Sequence, residues 1–225
     1  MQITILFGGV GSERDVSCRL AQESGEALVR YGADVKYIYC DEEGWEFSQT
    51  ALRNDRGSTL IAPSLSAAVA KNVRGALKLM DRSSVVIPMI FGPGGEDGAI
   101  SEVLEERAIR YFGPSCTAAR SMFDKSDAKT HFVGAGAKVP GYRVVEHRQF
   151  PRWHELTHAL RTDRLVVKPV SGGSSQGLSI VSDPAQLKHA LIKAWKYNSR
   201  ALVESYIPRL LEFSVAVLSV PNAAE

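Results

Sequence analysis

Cysteine is scarce: Cys18, Cys40 and Cys116 are the only three in 225 residues. They are odd in number and widely spaced, which excludes a disulfide framework or a cysteine metal knot and points to a reducing compartment, the cytoplasm. Long apolar runs are lacking too. None reaches the roughly 20 residues of a membrane-spanning helix, and residues 1–7 carry no basic segment before Gly8-Gly9, so neither a membrane span nor a signal peptide is expected. An excess of one charge is also missing: 27 basic residues face 25 acidic ones, well interspersed, for a net charge of +2. That excludes a broad cationic field for nucleic acid or an anionic membrane, so any anion site must be local. The five histidines, His131, His147, His154, His158 and His189, have no spacing that groups them with acidic or cysteine metal ligands.

What is present is alternation. Residues 2–7 are apolar and β-rich, residues 8–15 form a polar glycine loop, and Val16, Leu20, Ala21, Ala27 and Leu28 mark one face of a helix. This β-loop-α opening lacks a dinucleotide fingerprint, because Arg14 stands where the third glycine belongs. Glu13 reads equally as a grip for a substrate ammonium or as a carboxylate satisfying the helix dipole. Residues 35–39 form a second strand, residues 41–63 are weakly patterned and peripheral, residues 65–80 have a helical pattern, and residues 84–90 form a buried strand with Pro88 at an end or bulge. Strands and helices in alternation predict a parallel α/β sheet, with ligands at the carboxyl ends of its strands. The loop at residues 91–98 lies at such an end. Its four glycines with Glu96 and Asp97 suit an anion cradle, a substrate lip or a tight turn capped by Asp97. A helix over 99–107 and a short strand over 108–115 follow, and the domain boundary is placed after them, giving domains 1–115 and 116–225.

Beyond the boundary, helices are expected at 118–123, 125–134, 153–160 and 183–196, the last with Asp183 at the cap and Pro184 in the first turn. Strands are expected at 142–145, 165–169, 178–181, 201–204 and 212–220, with a hinge over 205–211. Lys125 and Lys129 share one helical face, where like charges repel unless an anion or solvent relieves them. The chain is organised around residues 166–177. There a β-branched run delivers Lys168 to a strand end, and Ser171, Gly172, Gly173, Ser174, Ser175, Gln176 and Gly177 form a loop before the next strand. A lysine charge, glycine N–H groups and serine hydroxyls suit a polyphosphate. The order is not that of the common P-loop, whose lysine follows its glycines. The alternative is an exposed glycine/serine turn.

Four motifs in order resemble the D-alanyl-D-alanine ligases of the ATP-grasp superfamily: Gly8-Gly9 through Glu13 to Ser17, the loop Phe91-Gly92-Pro93-Gly94-Gly95-Glu96-Asp97-Gly98, Asp124-Lys125 with Lys129, and Lys168-Pro169 through Gly177. The resemblance implies an α/β protein, an N-terminal parallel Rossmann-like (pre-ATP-grasp) domain followed by a partial α+β ATP-grasp domain. It implies that ATP phosphorylates the carboxylate of one D-alanine and that the amine of a second displaces the phosphate. Lys125 and Lys168 would neutralise nucleotide phosphates beneath a lid of Gly173, Ser174 and Ser175. Glu204 and Ile207 would flank adenine, Glu212 would accept from the ribose, and Glu13 and Ser174 would serve the first amino acid and the closed site. Mg2+ is implied as a cofactor with its ligands beyond residue 225. ATP and D-amino acids are the implied partners, and a homodimer the implied assembly, without nucleic acid or membrane. Phe91 stands where the family carries histidine, which leaves open another carboxylate-amine ligase of secondary metabolism. The lack of an acidic cluster leaves open a non-catalytic nucleotide-binding remnant.

Overall fold

The computed structural model describes residues 1–10, 13–40, 45–48, 75, 77 and 84–217, with the backbone alone at 45–48. The first sheet has the order β3-β2-β1-β4, from β1 (Gln2–Gly8), β2 (Asp34–Cys40), β3 (Trp45–Ser48) and β4 (Val85–Pro88). β1 pairs in parallel with both β2 and β4, and β3 closes the far edge antiparallel to β2. β1 lies between β2 and β4, and its residues 3–8 are buried on both faces. Ile3, Ile5 and Phe7 pack with Val35, Tyr37 and Ala21 of α1 (Arg14–Arg30), whereas Leu6 packs on the other face with Val86 and with Ile100, Val103 and Leu104 of α2 (Ala99–Glu106). This is the expected parallel α/β opening. The expected peripheral stretch and the 65–80 helix lie, apart from β3, Gly75 and Leu77, outside the described residues.

Three local expectations are corrected. The buried face of α1 is Ser17, Ala21 and Gly25, and Val16 is exposed. Small residues let the helix lie close to the sheet: the Gly8 amide donates to Ser17 Oγ at 2.8 Å, and that hydroxyl donates to the Met89 carbonyl at 2.5 Å. Residues 108–115 do not form a strand. Ala108 adopts φ 53°, and Tyr111 alone bridges to Val86. Nor is there a strand over 212–217; this segment has no regular structure, and Leu211, Phe213, Val215 and Val217 are exposed. Period-two alternation supplies a strand with a face, but its N–H and C=O groups still need a neighbouring strand, and among the described residues they find none.

The second sheet has the order β5-β8-β6-β7 and is antiparallel throughout, from β5 (Tyr142–Glu146), β6 (Leu165–Pro169), β7 (Ser179–Val181) and β8 (Arg200–Ser205). One face, Val145, Leu165, Val167, Val181, Ala201 and Val203, packs on α5 (Trp153–Leu160) and α6 (Pro184–Ala194). Asp183 caps α6 through the Gln186 amide at 2.9 Å, as its position before Pro184 predicts. The opposite face presents Tyr142, Lys168, Leu202 and Glu204, whose alternate positions follow from the period of two. α3 (Cys116–Phe123) and α4 (Lys125–Gly134) follow the first sheet, and α4 approaches this second face. There Tyr142 Oη donates to the Ser126 carbonyl at 3.4 Å.

Candidate functional site

The start of α4 is set by Asp124, whose Oδ1 accepts from the amides of Ser126 and Asp127 at 2.9 and 3.2 Å. Its Oδ2 lies 2.5 Å from the Arg200 guanidinium. Burial works to raise the Asp124 pKa, but the hydrogen bonds from Ser126 and Asp127 and the Arg200 charge outweigh it and hold the carboxyl below its ordinary value. Lys125 is thereby fixed in the first turn. Its amide donates to the Val170 carbonyl at 2.9 Å, and its Nζ donates to Gly172 O at 2.7 Å and to Val170 O at 3.4 Å. Burial, and then the neighbouring Lys168 charge, pull the Lys125 pKa below that of a free lysine.

Lys168 leaves β6 on the same face as Glu204, which is buried. The Glu204 carboxylate takes one cation on each oxygen: Lys168 Nζ is 2.5 Å from Oε1 and Lys129 Nζ is 2.9 Å from Oε2. The Lys129 contact lies off the hydrogen-bonding direction and is ionic. Lys125 and Lys129 therefore do not act as a repelling surface pair; they point to different acceptors, the loop carbonyls and Glu204. Two lysines share one carboxylate, Lys125 rests on carbonyl oxygens alone, and Asp124 is committed to Arg200. That local excess of positive charge is what the near-neutral composition requires of an anion site.

The loop after β6 closes over this face. The Gln176 amide donates to Gly173 O at 3.1 Å and the Leu178 amide to Ser175 O at 3.2 Å. Gly172 and Gly177 have φ of 106° and 74°, and a Cβ on Gly177 would fall 2.7 Å from Pro169. Ser174 and Ser175 also sit in the left-handed region, at φ 48° and 55°, a costly conformation outside glycine. Ser174 Oγ donates to the Glu13 carboxylate, joining the loop to the start of α1. Glu13 is the N-cap residue of α1 yet makes no side-chain capping bond, so it does not hold its own helix end. In the 91–98 loop the carboxylates make turn bonds: Glu96 accepts from the Gly92 amide at 2.8 Å, and Asp97 accepts from the amides of Gly94 and Ala99 at 2.7 and 3.0 Å.

Two cavities open between these elements. One of about 400 Å³ is lined by Glu13, Phe91, Phe123, Ser171, Gly173 and Tyr197. The other, about 620 Å³, is lined by Phe91, Glu96, Phe112, Met122, Phe123 and Lys125. Glu13, Lys125 and Gly173 line these cavities and Ser174 bonds to Glu13, whereas Lys168 and Glu204 pair with each other on the face of the second sheet. Ile207 is exposed beyond β8, and Glu212 lies in the exposed segment after it. Sequence reasoning missed Phe123 and Tyr197, which carry no motif. It also missed the Glu204 link to Lys129, signalled only by a lone acid ending the apolar run Ala201-Leu202-Val203. Among the described residues no three His, Cys, Asp or Glu side chains converge. The described residues therefore do not make a magnesium site.

The glycine-serine loop follows Lys168 in this α/β protein and is tied through the Gly172 carbonyl to Lys125 at the start of α4. The family models for "D-ala D-ala ligase N-terminus" and "D-ala D-ala ligase C-terminus" match residues 2–114 and 133–224, and the chain belongs to the D-alanine–D-alanine ligase family. It is 30% identical to the D-alanine–D-alanine ligase of Methylobacterium sp. (strain 4-46), covering 96% of this chain and 59% of that protein. It is 33% identical to that of Lactococcus lactis subsp. cremoris (strain MG1363), covering 90% and 58%. The solved ligase of Coxiella burnetii superposes with a TM-score of 0.76 over 92% of this chain and 64% of that one, at 24% identity, a likeness of fold. The chain spans about three fifths of the length of the curated relatives it matches.

Proposed function

We propose that this chain supplies the nucleotide cleft and the first amino-acid site for ATP-dependent ligation of two D-alanines to D-alanyl-D-alanine, a step of peptidoglycan precursor synthesis in the cytoplasm. The observation that carries this reading is the local excess of lysine charge: Lys129 and Lys168 share the single Glu204 carboxylate, while Lys125 is held by the Val170 and Gly172 carbonyls of the glycine-serine loop. In the reaction, a carboxylate oxygen of the first D-alanine takes the terminal phosphoryl group of ATP and ADP leaves. The amine of the second D-alanine then attacks the acyl carbon, phosphate departs, and the amine loses a proton. Lys125 and Lys168 neutralise the transferring charge. Gly173, Ser174 and Ser175 close over it and exclude water from the acylphosphate. Glu13 exchanges its Ser174 hydroxyl for the ammonium of the first amino acid.

Glu204 and Ile207 flank adenine through backbone groups, and Glu212 accepts from the ribose once the segment after β8 folds in. The division into domains 1–115 and 116–225 and a homodimeric assembly belong to the same proposal. A second reading, ligation of a different amine or carboxylate, is favoured by Phe91, an apolar ring lining both cavities where the family carries histidine.

ADP release by the chain with ATP, magnesium and either D-alanine or L-alanine tests both. Release with D-alanine alone supports the first reading, and release with neither rejects the chain as a self-sufficient ligase. Calorimetric ATP binding then tests the cleft itself.

A further inference from the structure

Lys129 stands apart from the phosphate-facing lysines. It is 9% exposed, lies over the Tyr142 ring at 5.3 Å from its centre, and approaches the Pro140 carbonyl at 3.5 Å. An ammonium so enclosed carries a large desolvation cost that only a close anion offsets, and among the described residues that anion is Glu204 Oε2 at 2.9 Å. The other oxygen of the same carboxylate holds Lys168, whose side chain is 22% exposed and therefore the more accessible of the two cations. The order from inside to outside is Lys129, Glu204, Lys168.

We propose that Lys129 is a positioning residue for the nucleotide: by taking up part of the Glu204 charge from within, it leaves the Lys168 ammonium anchored yet incompletely neutralised, and so able to attract a polyphosphate. With two ammonium groups sharing one carboxylate, the trio carries one net positive charge. Without Lys129 the trio is neutral, Glu204 Oε2 is buried and unpaired, and Lys168 is drawn wholly to Glu204. The inference rests on reading the cleft as a nucleotide site.

The test is calorimetric binding of ATP and, separately, of adenosine to the full chain and its variants. Lys129→Met is expected to weaken ATP binding by roughly tenfold, about 1.4 kcal/mol, to flatten its salt dependence, and to leave adenosine affinity within twofold. Lys129→Arg is expected to restore ATP binding. Lys129→Met combined with Glu204→Gln, which returns Lys168 to full charge, is expected to restore it as well. Glu204→Gln alone keeps the measurement decisive if Lys129→Met fails to fold, since it removes the shared charge and is expected to tighten ATP binding several-fold. Equal losses for ATP and adenosine, or no recovery in the charge-matched double variant, would show a merely structural lysine and overturn the proposal while leaving the nucleotide site standing. No ATP binding by the parent chain would overturn both.

Discussion

Lys125 carries its charge where burial and a second lysine both work against it, and its carbonyl partners, Gly172 and Val170, bring no full negative charge. Two consequences follow with opposite signs. A polyphosphate favours the charged form, so ATP affinity is expected to fall as pH rises through the lowered pKa, with proton uptake on binding there; calorimetry in buffers of different ionisation enthalpy measures both. In the free protein, the unfolded chain still holds that proton between the lowered value and the ordinary 10.5. The stability deficit contributed by Lys125 is therefore relieved as pH rises across that interval. Asp124 behaves conversely. Its contribution is complete above the ordinary value of 3.8 and is lost as pH falls through the lower folded value. Asp124→Ala is expected to cost about 1–2 kcal/mol for the cap, and to weaken ATP binding by loosening Lys125; urea melts at pH 7 and pH 3 should show the difference shrinking in acid.

Helix α1 illustrates how one element is fitted to its sheet. The Tyr37 hydroxyl projects at Gly25, where a Cβ would lie 1.8 Å from it, and it has no hydrogen-bond partner among the described residues. Burial, and then Glu26, push its pKa up to about 12. Gly25→Ala is expected to destabilise by about 2 kcal/mol or more through overpacking, against about 1 kcal/mol gained in helix propensity. Tyr37→Phe should be neutral or stabilising, should partly rescue Gly25→Ala, and should remove the stability lost as pH rises from 10 towards 12; thermal melts of the three variants decide. The same helix shows what a sequence conceals. Apolar periodicity located its span and Ala21, but Ser17 and Gly25 of the buried stripe are invisible to a search for apolar side chains, because the volume at Gly25 comes from Tyr37 on another element. Residues 212–217 failed for a related reason: their alternation is genuine, but pairing is a property of two segments.

At the scale of the whole molecule, the loops flanking the cleft come from both sheets, and Glu13 and Ser174 meet across it from positions 161 residues apart. Lys168, Lys125, Glu13 and Ser174 stand out in the sequence because each sits in a dense local motif. That Glu204 would serve as the shared counter-ion of two lysines does not, since Lys129 reaches it only when α4 lies on the second sheet. Ser174→Ala is expected to release the loop from α1, raising amide hydrogen exchange at residues 172–177 by about tenfold while leaving β6 and β8 protected; unchanged exchange would mean that the loop is held by its own turn and by Lys125.

The central place of β1 also sets a tempo. It leads the chain, yet the strand on one side of it, β4, pairs through Ile3 with Val85, so the first sheet stays unfinished until most of its half has been made. The β6–β7 pair closes through the short glycine-serine loop. Because distant pairings bear a larger loop-closure entropy, a refolding experiment should find the β6–β7 hairpin protected first, leaving the strand that begins the chain among the last to acquire both of its neighbours.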